Sequence, residues 1–237
     1  IGSIPWQRVI NEEARIASPK TIKNAFGFIR IVYRDNGMEI PPVTLPAQRA
    51  PEKAFLTPEQ IPVFIQAVKG SKCEIPALLA LSSLRKSELL ALTWDNVDLD
   101  GRVIHVRGAC VRGPGESFVY RRQNKTDASN RDVPMIGPLY DALEAVEDKT
   151  GPVLCCHYQT PYKQIQAICK REGLPLVGLH GLRHSFASLC YSLGVSELAA
   201  MQLGGWSDYQ TMRRIYTHLA ESDRAKAAGA FVKFFGE

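Results

Sequence analysis

The run from His180 to His218 constrains the fold of this chain more than any other stretch. It reads H-G-L-R-H-S-F-A from His180, L-G-G-W-S-D from Leu203 and R-R-I-Y-T-H from Arg213. His180 and Arg183 are three residues apart, so on a helix they share one face. Ser185 to Leu193 continues with apolar residues at helical spacing, and Gly194 is placed to end that helix. Ser196 suits the N-cap of a second short helix, which closes at Gly204-Gly205. A third carries Tyr216. The spacing predicts three consecutive helices presenting a base, a cation, an indole donor and a phenol, namely His180, Arg183, Trp206 and Tyr216.

Helical signals also precede this run. Thr57-Pro58-Glu59-Gln60 reads as a capping box before a helix through Val68. Residues 75–84 form a second, strongly apolar helix, and Arg85 to Leu90 begins a third, with Arg85 and Glu88 on one face. An arginine there is either half of a surface ion pair or a guanidinium that Glu88 holds toward an anion. Gly137-Pro138 and Thr160-Pro161 open two more helices, the latter to Arg171. A final helix is expected from Glu221 to about Phe235, with Ala225, Ala228, Val232 and Phe235 as its apolar stripe.

In the middle of the chain the period changes to two. Arg102–Val106, Ser117–Arg121 and Asn130–Pro134 read as strands, with turns at Gly113-Pro114-Gly115 and Lys125-Thr126-Asp127. The expected fold class is α+β, mainly α-helical, with a small three-stranded antiparallel sheet arranged as a meander. Residues 1–46 read as a small helical piece. Ser18-Pro19 opens its helix, Ile22, Phe26, Ile29 and Tyr33 repeat at helical spacing, and Asn36-Gly37 stops it. One helix has too little partner surface to be a domain, and the chain does not begin with Met, so this is expected to be the end of a longer helical domain. A linker over 47–56 and a main domain over 57–237 complete the division.

Formal net charge is +5, and one segment holds all of it: residues 102–131 carry seven Lys or Arg against Glu116 and Asp127. Such a stripe suits a polyanion, though a solvated hairpin has the same composition. No apolar run is long enough to span a bilayer, and no signal peptide is visible. Six cysteines without metal spacing fit reduced thiols, hence a cytoplasmic protein.

Arg85, Lys125, His180, Arg183, Trp206 and Tyr216 together suit phosphodiester chemistry. Two arginines can hold the nonbridging oxygens and stabilise the charge that builds as phosphorus becomes pentacoordinate. A phenol, with an ordinary pKa of about 10, loses its proton as it attacks, and a histidine can take that proton. A lysine can protonate the leaving oxygen, and an indole N–H can donate to a phosphate oxygen. No acidic cluster offers a magnesium site, so neither metal nor cofactor is expected. His184 suits a core histidine and His105 a structural one. Tyr209 competes with Tyr216 as nucleophile.

At this point the chain resembles the tyrosine recombinases, or phage-type integrases. S-S-L-R-K-S-E-L-L-A-L-T-W is similar to the family's first arginine block, giving Arg85 with Glu88 in support. Q-N-K-T-D-A-S-N-R-D-V-P is similar to its β-hairpin lysine block, giving Lys125. H-G-L-R-H-S-F-A gives His180 and Arg183, and L-G-G-W-S-D-Y-Q-T-M-R-R-I-Y-T-H ends on Tyr216 as nucleophile. Most members carry His where this chain has Trp206, and Gly is common where it has Ser83.

The resemblance implies a site-specific recombinase that cleaves and rejoins double-stranded DNA through a 3′-phosphotyrosyl link, supporting integration or excision of a mobile element. The basic stripe points to DNA contacts from Arg121 and Arg122, and the resemblance implies a homotetramer on two DNA sites that is a monomer or weak oligomer without them. Residues 1–46 then resemble the end of the family's core-binding domain. A type IB topoisomerase would use the same chemistry, and a non-enzymatic DNA-binding relative would share the fold.

Overall fold

Pro76 to Leu81 are all buried, which a helix can manage only when other elements surround it. In a computed structural model of the chain they form most of α4. The structure describes residues 4–47, 54–113, 118–121, 130–154, 159–206, most of 209–220, and residues 224 and 234. It divides into two compact units, Ile1–Glu52 and Lys53–Glu237.

The first unit holds α1 (Trp6–Glu13) and α2 (Pro19–Asp35). Ser18 caps α2 through its hydroxyl, which accepts from the Thr21 backbone N–H, and Pro19 follows at the first helical position. Ile10, Ile22 and Phe26 form its core, with Val43 and Leu45 packed alongside. Helix α1 was not expected from the sequence. It supplies the partner surface that α2 lacks: the Trp6 ring meets Phe26 and Tyr33 edge-on, and its Nε1 donates to the Tyr33 hydroxyl at 2.7 Å.

The second unit begins α3 (Gln60–Val68), α4 (Glu74–Leu81) and α5 (Lys86–Leu89). The capping box is half present: Gln60 Oε1 accepts from the Thr57 backbone N–H at 3.0 Å. Leu56 is fully buried in the core of this unit, so the chain has joined it before the expected linker ends. The strands follow as β1 (Val97–Asp98), β2 (Val103–Val106), β3 (Ala109–Arg112), β4 (Phe118–Arg121) and β5 (Arg131–Pro134). Then come α6 (Gly137–Glu144), α7 (Gln159–Arg171), α8 (Leu179–Ser192) and α9 (Glu197–Gly204). Helix α4 packs against α8 and α6, with α3, α5 and α7 around it.

The three-stranded antiparallel sheet is present, but it is not the expected meander. Its order is β1-β2-β5, and β3 pairs with β4 in a separate hairpin. Both edges of β2 are taken, by β1 and by β5. Residues 118–121 therefore find no free edge there and pair with the nearer Ala109–Arg112. Ile104, Val106 and Val133 face the helices and are buried. Lys125, Arg122, the Cys155-Cys156-His157 run and the apolar stripe of the expected final helix lie outside the described residues.

A candidate active site built on three helix ends

Four helices of the second unit, α4, α7, α8 and α9, end in one hydrogen-bonded pattern, and the ends of α4, α8 and α9 each deliver a group to a single neighbourhood or its border. In this pattern the residue after the cap turns left-handed, and two N–H groups bond back across the last turn. At the end of α4 the Leu84 N–H reaches the Leu79 carbonyl and the Ser83 N–H reaches that of Ala80. Ser83 sits at φ 79, where glycine is the usual occupant. Helix α8 ends the same way through Gly194 and Val195, and α9 through Gly205 and Trp206.

The carbonyls of Ser83 and Gly205 gather the arginines. Arg183 donates through Nη1 to the Ser83 carbonyl and through Nη2 to that of Gly205 at 3.4 Å. Arg85 donates through Nη2 to the same Gly205 carbonyl. Arg85 is the residue before α5, and its Nη1 donates to Glu88 Oε1 at 2.6 Å while its backbone N–H donates to Oε2 at 2.7 Å. The expected pairing of Arg85 with Glu88 is thus formed, but not at the surface: the Glu88 side chain is 2% exposed and that of Arg85 34%. Arg183 is buried, and burial together with the like charge of Arg85 pulls its pKa down to about 9, so it stays protonated at neutral pH.

Trp206 completes this side. Its ring lies 4.4 Å from the Arg183 guanidinium carbon, a cation–π distance, and stacks against Phe186 with centroids 6.0 Å apart. The two glycines before it are explained by what a side chain would meet. A Cβ on Gly204 would run into the indole ring, and one on Gly205, at φ 61, would approach a third guanidinium, that of Arg131, at 2.8 Å.

Arg131 was missed as a site residue by sequence reasoning. It is the first residue of β5 and its side chain is 5% exposed. Its Nη1 and Nη2 donate to Glu88 Oε1 and Oε2 at 3.1 and 2.9 Å, its Nη2 also to the Ser83 carbonyl at 3.2 Å, and its Nε to the Leu203 carbonyl at 3.1 Å. Burial alone would raise the Glu88 pKa, but the bonds and charge of Arg131, with those of Arg85, hold it below the ordinary carboxylate value. The available signal was the strand period: Arg131 shares the inward face with Val133.

His180 lies in the first turn of α8, exposed, one turn from Arg183. Its ring meets the buried His184 ring edge-on, with centroids 4.4 Å apart. A cavity of about 610 Å³ opens beside it, lined also by Lys86, Tyr162 and Lys163. Among the described residues, no group of three His, Cys, Asp or Glu side chains stands close enough to hold a metal ion.

Tyr216 is not gathered with the arginines, although Trp206 packs against the same small core. Tyr216 is buried in this second core with Phe186, Cys190, Met212 and Ile215, and its hydroxyl donates to the Val195 carbonyl at 3.0 Å. Val195 follows the C-terminal end of α8, whereas Arg183 lies in its second turn, more than about 10 Å away along the axis. Burial pushes the phenol's pKa well above the ordinary tyrosine value, and Cys190 and Glu197 add to it. Tyr209 is exposed and bonds Glu197. Of the expected DNA contacts, only the backbone of Arg121 is described, at the end of β4 opposite Ala109.

Comparison with known proteins settles the family. Residues 54–223 match the pattern of the Phage integrase family. The chain belongs to that family. It is 30% identical over 184 residues to the tyrosine recombinase XerA of Saccharolobus solfataricus, a match covering 77% of this chain and 57% of that protein. It is 22% identical over 202 residues to the integrase of Salmonella phage P22, covering 83% of this chain and 51% of the relative. The chain thus spans about half the length of the curated relatives it matches.

The family fold extends to solved structures. A Tn1549 transposon integrase in complex with circular intermediate DNA superposes with a TM-score of 0.70 at 22% identity, covering 92% of this chain and 83% of that one. The XerA recombinase crystal structure superposes with a TM-score of 0.58 at 21% identity, covering 92% and 78%. The α+β fold, mainly helical with a small antiparallel sheet, is that of this family's catalytic domains. No helix among the described residues is long and apolar enough to cross a membrane.

Proposed function

We propose that the second unit is the DNA-breaking and rejoining domain of a site-specific recombinase acting on mobile-element DNA. The observation that carries this reading is the shared Gly205 carbonyl, which brings the Arg85 and Arg183 guanidinium groups together beside Trp206. Two cations converging on one small volume suit a phosphodiester whose charge grows during displacement.

In the reaction, the Tyr216 oxygen attacks phosphorus, the bond from phosphorus to the 5′-oxygen breaks, and a 3′-phosphotyrosyl link forms. His180 takes the phenol proton, and Lys125 gives a proton to the departing 5′-oxygen. Arg85 and Arg183 hold the nonbridging oxygens, and Trp206 packs Arg183 while its indole N–H donates to phosphate. A 5′-hydroxyl from a partner strand reverses the sequence, so the bond energy is retained. Tyr216 first leaves the Val195 carbonyl.

The rest of the reading concerns partners. Double-stranded DNA is the substrate, gripped by the second unit, with Arg121 and Arg122 at its backbone, and by the first unit as part of a helical core-binding domain. Four copies act on two sites and separate without DNA. The cytoplasm is the site of action, in keeping with the free thiols of Cys73, Cys110, Cys169 and Cys190. The deciding experiment is covalent trapping on a nicked suicide duplex, read on a denaturing gel. A protein–DNA adduct that resists denaturation is expected; a protein that binds the duplex and never forms the adduct would overturn the enzymatic reading.

A further inference from the structure

On sequence, Arg131 is one of seven positive charges along a basic stripe. In the fold it is buried, and it takes the larger share of Glu88. Each carboxylate oxygen of Glu88 accepts twice: Oε1 from Arg85 Nη1 and Arg131 Nη1, Oε2 from the Arg85 backbone N–H and Arg131 Nη2. The fork of Arg131 grips both oxygens, whereas the Arg85 side chain touches one. Four donor contacts of Arg131 are directed at protein acceptors. A buried guanidinium so committed does not reach a phosphate.

A lone buried carboxylate beside Arg85 would cancel the charge that Arg85 brings to DNA. A second arginine on the far side of Glu88 changes the balance: two guanidinium groups now share one negative charge, and the half-buried Arg85 is left with positive charge to offer. We propose that Arg131 is a positioning residue for strand cleavage, balancing Glu88 so that Arg85 keeps its charge for the scissile phosphate. This rests on the recombinase reading above. Arg131 also ties β5 to the ends of α4 and α9 through the Ser83 and Leu203 carbonyls, and it does so six residues after Lys125.

The test is the single-turnover rate of covalent adduct formation on a nicked duplex at saturating protein, with DNA affinity measured in parallel. Arg131→Met should slow adduct formation about a hundredfold while affinity changes only slightly. Arg131→Lys, which keeps the charge and loses the fork, should stay within about tenfold of the unmodified protein. The double variant Glu88→Gln/Arg131→Met should recover most of the loss, because the carboxylate that needed balancing is gone. The ratio of the Arg131→Met rate to the unmodified rate should rise as pH falls, since protonating Glu88 releases Arg85. A purely structural role would move none of these in that pattern. The inference is overturned if folded Arg131→Met cleaves at the unmodified rate, if the Lys and Met variants lose activity equally, or if the rate ratio is flat with pH. Should Arg131→Met not fold, Arg131→Lys and the double variant decide: both should cleave, and a folded but inert protein in either case sinks the idea. If the unmodified protein forms no adduct, the recombinase reading fails instead.

Discussion

The Tyr216 hydroxyl donates to the Val195 carbonyl at 3.0 Å, whereas Arg85 and Arg183 both donate to the Gly205 carbonyl. Val195 is where it is because Gly194 ends α8 in a left-handed turn, with the Val195 N–H bonded back to the Cys190 carbonyl. Tyr191 meets the Tyr216 ring edge-on at 5.3 Å between centroids. Tyr216 is thus held by a helix end, a ring and a small core. One neutral hydrogen bond adds only about 1 kcal/mol net, so DNA or a neighbouring copy need supply little to release it from that bond alone.

Tyr216→Phe keeps the ring in its core and removes the attacking oxygen. The variant should bind DNA and form no covalent adduct, at a stability cost of about 1 kcal/mol from the Val195 carbonyl left without its donor. A shift assay beside a denaturing gel checks both points. If Tyr209→Phe abolishes the adduct and Tyr216→Phe does not, the nucleophile is Tyr209.

Lys125→Ala tests the proposal that this lysine is the acid for the 5′-oxygen. Ordinary DNA should be cleaved poorly. A substrate with a 5′-bridging phosphorothiolate has a leaving group that needs no proton and should be cleaved at close to the unmodified rate. Equal loss on both substrates would assign Lys125 to binding. Cleavage of either substrate by the unmodified protein is expected to survive EDTA.

Ser83→Gly should raise stability. A non-glycine residue in the left-handed region costs roughly 1–2 kcal/mol, partly offset by the greater freedom of glycine in the unfolded chain. A net gain of about 0.5 kcal/mol would raise the melting temperature by about 1–2 °C. Calorimetry reads the shift directly, and a fall would mean that the Ser83 hydroxyl, 3.4 Å from the Leu203 carbonyl, matters more than the strain.

Gly204→Ala should push the Trp206 ring from its place beside Arg183, because the new methyl occupies the indole's space. Overpacking of this kind costs about 1–3 kcal/mol. Adduct formation should fall more than DNA affinity does, and the Trp206 contribution to fluorescence should shift. An unchanged spectrum with full activity would show that the indole has room to relax.

Glu88→Gln should flatten the acid limb of the stability curve. The Glu88 pKa is lowered in the folded protein from its ordinary 4.5, so its contribution is complete above that value and is lost as pH falls through the folded value. The stability difference between the unmodified protein and the Gln variant should therefore shrink as pH drops below about 4.5. Urea titrations at a series of pH values measure that difference, and a constant gap would deny the carboxylate its ionic role.

Much of the fold was legible because its signals are local. Ser18-Pro19, Ser196, Gly194 and Gly204-Gly205 mark helix ends by what each residue does to its own backbone. The strongly apolar run that becomes most of α4 marked a helix by its composition alone. Strand partners were less legible. Residues 118–121 have the right period, yet which edge they join depends on β1, only two residues long, already occupying one side of β2. Helix α1 escaped notice since only Ile10 is buried along its length.

Residue types and their order determined the family, the helical frame and the set of groups suited to phosphate chemistry, because those depend on side-chain chemistry and on short-range backbone rules. Tertiary structure decided what each group touches. Glu88 is shared by Arg85, three residues before it, and by Arg131, 43 residues after it, and no local pattern encodes the second pairing. The carbonyls that collect Arg85, Arg183 and Arg131 carry no side-chain identity at all; they are aimed by left-handed turns and meet only when α4, α9 and β5 pack together. Tyr216 shows the same limit. Its position in the chain marks it as a candidate nucleophile, but its burial against Val195 follows from long-range packing that sequence spacing alone leaves open.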